Sequence, residues 1–205
     1  INKMKTKFDP LAHGYKFANR FEFSGLQKLS NHIKNKLIYG MCGGMIFSAL
    51  DHYFDQKDLP GYRATDELPL NYAKYLWNRQ KDSVSIRNFI KILIFASLPK
   101  KISIQKSVKN ELPKIIELIN DTLPAPIVII RSNLLQNPTH NHQVLVTQVK
   151  VSNEEVELIL YDPNHPSKTP AIVIDKKNQN LRQTTGEFVR GFFVNNYLYK
   201  SSSEI

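Results

Sequence analysis

The sequence predicts an α+β protein in which a helical segment precedes an antiparallel sheet. From Cys42 to about residue 122 the apolar residues recur at helical spacing. From Pro126 onward they collect in short runs rich in branched and aromatic side chains, separated by turn clusters. Strands and helices do not alternate, which excludes a doubly wound sheet.

The elements follow in chain order. The ends, "INKMKTK" and "KSSSEI", read as loose. In "MIFSALDHYF", Met45, Ile46, Ala49, Leu50, Tyr53 and Phe54 form one helical stripe. "PGYRATDELP" breaks it with Pro60, Gly61 and Pro69. "LNYAKYLWNRQ" places Leu70, Ala73, Leu76 and Trp77 on one side of a helix. "SVSIRNFIKILIFASLP" carries Val84, Ile86, Phe89, Ile90 and Leu93 and stops before Pro99. "SVKNELPKIIELINDTLP" carries Val108, Leu112, Ile115, Ile116 and Ile119 and ends near Asp121, and its Pro113 suits a first turn. The strands are "PIVIIR", "HQVLVTQVKV", "EVELILYD", "AIVID" and "EFVRGFFVNNYLY". A single domain (1–205) thus divides into a helical lobe, about 25–122, and a β lobe, about 123–200.

Composition narrows the function classes. The chain has 205 residues, 41% of them apolar, and reads as globular. No apolar run approaches the roughly 20 residues of a membrane span. Its one cysteine allows no internal disulfide. The formal charge of +10 raises a nucleic-acid partner. Yet the basic residues are scattered, in mild clusters at Lys34/Lys36, Lys100/Lys101 and Lys176/Lys177, with no basic helix stripe and no zinc-finger spacing. Nucleic acid is therefore not expected, while acidic or membrane-surface substrates fit the charge. The chain starts with isoleucine, which reads as a processed or trimmed product, so the absence of a signal peptide says nothing about localisation. The Lys-, Asn- and Ile-rich usage suggests a bacterium, and secretion or export is the expectation.

The cysteine sits in "GMCGG", residues 40–44. If the helix begins there, first-turn N–H groups and the positive end of the dipole favour thiolate over thiol. Gly43 and Gly44 are poor helix formers, costing about 1 kcal/mol each relative to alanine, so something must approach the backbone closely. A buried structural cysteine is the plainer reading of such a residue.

A base is offered by the hairpin of "NHQVLVTQVKV" and "EEVELILYDPN", joined at "SNE". A hairpin centre near Ser152–Asn153 pairs Val144 with Leu160 and Val146 with Leu158. The same register sets His142 opposite Asp162 on that face, with Cβ atoms roughly 4.5–5.5 Å apart. An acid at that distance can orient a catalytic imidazole. A slip of one residue would separate them.

The order of these parts resembles papain-like cysteine peptidases, particularly bacterial relatives of the bacteriocin-processing peptidases. The resemblance covers roughly residues 13–166 and rests on "HGYKFANRF", "YGMCGGMIFSALDHYF", "RQKDS", "NHQVLV" and "YDPNHP". It implies a papain-like fold, with Cys42 as nucleophile, His142 as base and acid, and Asp162 as orienting group. It also implies a protein or peptide substrate and no cofactor. The family's glutamine shortly before the cysteine is absent: Lys36 stands six positions before it and the upstream glutamine is Gln27. Asn19 or Asn35, with the Cys42 N–H, would then serve as oxyanion donors, each such donor being worth roughly 10²–10³ in rate.

Several alternatives compete. With an amine as acceptor the same three residue types make a transglutaminase-like acyltransferase. A catalytically weak module of this fold would bind a peptide or protein in its cleft, lined by Tyr39, Trp77 and Tyr161. Gly40-x-Cys42-x-Gly44 fits a nucleophile elbow, with Asp121 and His142 completing an α/β-hydrolase order. A metal site could draw on His140, His142, His165 and Asp162, although the spacing is nonspecific. His13, His32 and His52 read as surface or core residues.

Overall fold

Strand β3 (His142–Val151) organises the molecule, its first five residues all buried. A computed structural model describes residues 2–21, 40–136 and 140–202. One edge of β3 pairs with β4 (Glu155–Tyr161). Its other edge pairs first with β2 (Ala125–Ile130) and then with β1 (Asn2–Lys5). β5 (Ala171–Asp175) and β6 (Asn180–Gln183) extend the sheet beyond β4, and β7 (Gly191–Val194) extends it beyond β2. Every pairing is antiparallel.

Six helices are described: α1 (Pro10–His13), α2 (Cys42–Phe54), α3 (Leu70–Ser83), α4 (Ile86–Ser97), α5 (Lys100–Lys106) and α6 (Leu112–Asn120). A π-turn at Ser107–Glu111 joins the last two, with Pro113 in the first turn of α6. The sheet curls, because α5 touches both of its outer strands, β6 and β7. Inside the curl, Ile104, Ile115 and Ile119 pack on Ile127, Val144, Val146, Leu158 and Leu160. On the other face, Leu145 and Tyr161 pack on Met45, Ile46 and Leu50 of α2.

The hairpin register differs from the expectation. Val146 pairs with Leu160, and Val149 pairs with Leu158. Thr147 lies between as an extra residue that the β4 side does not match, a β-bulge. The turn alone would have set His142 and Asp162 on opposite faces, since pairs near it have numbers summing to 307. Past the bulge the sum is 306 (Val146 with Leu160), which restores a common face. The bulge is held from just past the end of β1: Thr6 donates to the Thr147 carbonyl from both its N–H (3.0 Å) and its hydroxyl (3.1 Å).

The described parts of the two end segments, residues 2–7 and 200–202, are not loose. β1 completes one edge of β3. At the other end the Lys200 N–H donates to Asp51 and the Ser202 N–H to Asp55, both on or beside α2. The expected long last strand is also shorter. Only Gly191–Val194 pairs with β2, after which the chain leaves the sheet and Tyr197 donates to Asp51 at 2.6 Å. The helical lobe therefore does not simply precede the β lobe, because β1 comes first.

The glycine pair has a packing cause. A Cβ on Gly44 would lie 2.4 Å from the Leu76 carbonyl oxygen of α3, and one on Gly43 would lie 2.0 Å from Ser83 Oγ. Gly44→Ala gains about 1 kcal/mol of helix propensity but forces α2 and α3 apart. A net loss of about 1–2 kcal/mol is expected in urea unfolding, since overpacking a tight core costs roughly 1–3 kcal/mol.

Candidate functional site

Cys42 is the first residue of α2, and the N-cap residue, Met41, offers the turn no side-chain hydrogen bond. Its sulfur lies in the open N-terminal end of the helix, where the Gly43 N–H donates to it. The Gln143 N–H donates from β3. The residue before is pinned: the Met41 N–H donates to Asn19 Oδ1 at 2.8 Å.

His142 opens β3. Its Nε2 lies 2.6 Å from Asp162 Oδ1, and both side chains are almost wholly buried. Nδ1 is left for the Cys42 sulfur, with which the ring also hydrogen-bonds. Asp162 is held in turn by the Asn164 N–H at 2.8 Å and by Gln183 Nε2 at 3.5 Å. Burial by itself pushes the Cys42 thiol up, but the hydrogen bond and charge of His142 and the two N–H donors outweigh it, and the net shift is downward. Burial likewise opposes the His142 imidazolium, yet the Asp162 carboxylate and then Cys42 raise the ring to about 9. Asp162 resists burial through the His142 charge and is held below the usual carboxylate range. All three shifts run toward the charged forms: thiolate, imidazolium and carboxylate.

The row opens on a cavity of about 520 Å³. Asn19, Gly40, Gln80, Asn141 and Asn164 line it, together with the apolar side chains of Val84, Phe89, Ile92 and Val128. Asn19 Nδ2 lies 3.2 Å from Asn164 Oδ1, bridging the Cys42 and Asp162 segments. Asn141 Oδ1 accepts from the Arg131 N–H at 2.9 Å, leaving its buried Nδ2 without a partner among the described residues.

Of the residues singled out in the sequence, Cys42, His142, Asp162 and Asn19 come together, whereas Asn35, Tyr39, His32, Gln27 and Lys36 lie outside the described residues. Tyr161 is a core residue rather than a cleft wall, its hydroxyl accepting from the Tyr15 N–H at 3.0 Å. Trp77 is half-buried against the α2 core. His52 is buried on Ser48 O, and His13 packs on Phe8 and Tyr53.

The elbow reading fails, because the sheet is antiparallel throughout and Asp121 lies exposed at the end of α6. The metal reading is also redrawn. Among the described residues the convergent ligand atoms are those of Asp162, His165 and Glu187, without His140 or His142. Arg131 sits 3.0 Å from Glu187, so a guanidinium already neutralises the cluster.

Two glutamines escaped the sequence reading. Gln80 Oε1 accepts from the Gly44 N–H at 2.7 Å across the first turn of α2. Its signal was a polar residue three and four positions past Trp77 and Leu76, on the buried stripe of α3. Gln143 faces away from His142 and bonds Ser83 Oγ (3.0 Å) and Asn195 Nδ2 (2.8 Å). That amide network holds the backbone whose N–H meets the sulfur. No protein-family model, curated protein or solved structure matches the chain.

Proposed function

We propose that the protein is a papain-like, thiol-dependent hydrolase of amide or peptide bonds. The observation that carries this is His142, hydrogen-bonded to the Cys42 sulfur on one side and to buried Asp162 at 2.6 Å on the other. A neutral helix-start cysteine would need only packing, whereas a histidine placed between thiol and carboxylate is arranged to move a proton. The chain order agrees: cysteine at a helix start, histidine opening a strand, acid just past the end of the next.

In this reading His142 holds the proton taken from Cys42, and the thiolate attacks the substrate carbonyl. The oxyanion is met by the Cys42 N–H and Asn19 Nδ2, the latter standing in for the missing glutamine. His142 then gives its proton to the leaving amine as the C–N bond breaks, leaving a thioester. Water, deprotonated by His142, attacks the thioester, releasing the acid and restoring the thiol. Asp162 holds the ring and balances its charge. The residues need no cofactor for these steps.

The test is digestion of a broad peptide library, with and without an added primary amine, by wild type and Cys42→Ala. New carboxyl termini formed only by the wild type are expected. Amine adducts in place of new termini would make the enzyme an acyltransferase. Neither product would reduce the site to a binding cleft and end the hydrolase reading.

A further inference from the structure

A surface helix normally turns one apolar stripe to the core and a polar face to solvent. Helix α4 departs from that pattern. Phe95 and Ile92 pack on Val128, Ile130 and Phe193 of the sheet. The opposite side presents Ile86 (82% exposed), Ile90 (53%), Leu93 and Ile94 to the surface, with Val84 and Phe89 beside them. A contiguous exposed patch of this kind marks an interaction site. We propose that α4 is a membrane-docking face whose apolar side enters the headgroup region of an anionic bilayer.

The charge pattern selects that occupant. Between Asp82 and Glu111 the sequence has six basic residues, Arg87, Lys91, Lys100, Lys101, Lys106 and Lys109, and no acidic one. Arg87, Lys100 and Lys101 are exposed next to the apolar side chains. An apolar face flanked by exposed cations, with the nearby Glu111 buried and paired with Lys91 and Lys114, suits a surface of lipid phosphates, entered to about 5–10 Å. A second copy suits it poorly, because a two-fold contact would bring the same cations together. Val84, Phe89 and Ile92 also line the cavity at Cys42. Docking through α4 therefore opens that cavity toward the lipid surface, whether or not Cys42 reacts.

The experiment is co-sedimentation of the chain with vesicles of phosphatidylcholine alone or with about 30% phosphatidylglycerol. The expected result is binding at least roughly tenfold tighter to the anionic vesicles, weakened when salt rises from about 0.1 M to about 0.5 M as screening shortens. Ile86→Ser with Ile90→Ser should lower that binding roughly tenfold, with unchanged melting because both side chains are more than half exposed. Arg87→Gln with Lys101→Gln should lower it on anionic vesicles alone, a second measure independent of packing. Three outcomes overturn the proposal: no binding to anionic vesicles, binding indifferent to both variants, or light scattering that shows a dimer which the isoleucine variant dissolves.

Discussion

Replacing His142 with alanine is expected to slow alkylation of Cys42 by iodoacetamide near pH 6 by roughly 10- to 100-fold. A free thiol with a pKa of about 8.5 is only about 0.3% ionised there, so complete ionisation is worth at most roughly 300-fold. A less basic thiolate is a weaker nucleophile and returns part of that gain. Burial pushes the Cys42 thiol up, and the hydrogen bond and charge of His142 are the chief influences that bring it down. In the wild type the pair persists up to about 9, where the ring releases its proton. In the variant, reactivity should rise only toward the free-thiol range. Superimposable pH profiles for the two proteins would remove the basis of the proposed chemistry.

Stability would not reveal the pair. His142 is raised, so its contribution is present below about 6.5 and is lost as pH rises through about 9. Cys42 is lowered, so its contribution is present above about 8.5, the unfolded value, and is lost as pH falls through the folded one. Where the folded Cys42 is ionised and its unfolded thiol is not, the two contributions oppose each other, because folding there moves a proton from sulfur to ring and the pair adds little pH dependence to unfolding. Thiol reactivity is therefore the measurement that sees it.

Asp51→Ala is expected to cost about 3–5 kcal/mol in urea unfolding, the loss typical of breaking a buried ion pair on one side. Asp51 is fully buried on α2, with Arg79 Nε 2.7 Å away, an ion contact without hydrogen-bond alignment, and Arg79 Nη2 donating at 3.1 Å. Tyr75 and Tyr197 each donate to it at 2.6 Å, and the Lys200 N–H donates at 3.1 Å. The substitution leaves a guanidinium that is 1% exposed without this partner and unties the C-terminal segment from the helix that carries Cys42. A loss below about 1 kcal/mol would show that Asp82, 2.6 Å from Arg79, is the partner that matters.

Much of the site was legible because its signals are local. Met45, Ile46, Ala49 and Leu50 mark a helix by their spacing, and the glycines mark its start. His142 shares a face with Val144 and Val146 because strands alternate. What the glycines meant was less legible: they admit the Leu76 carbonyl and the Ser83 hydroxyl, a packing demand that catalysis does not explain. Gln80 was passed over because nothing in its own helix says that the Gly44 N–H awaits it.

The sequence by itself determined the class of the fold and the place of Cys42 at a helix N-terminus, and it offered His142 and Asp162 as candidates. Each depends on residues within a few positions of one another, whose periodicity the chain states directly. Only the tertiary structure decided that His142 and Asp162 meet. Their common face depends on the bulge at Thr147, which Thr6, 141 residues away and just past the end of β1, holds through two hydrogen bonds. A contact over that separation exists only once the whole sheet has closed, and no local pattern encodes it.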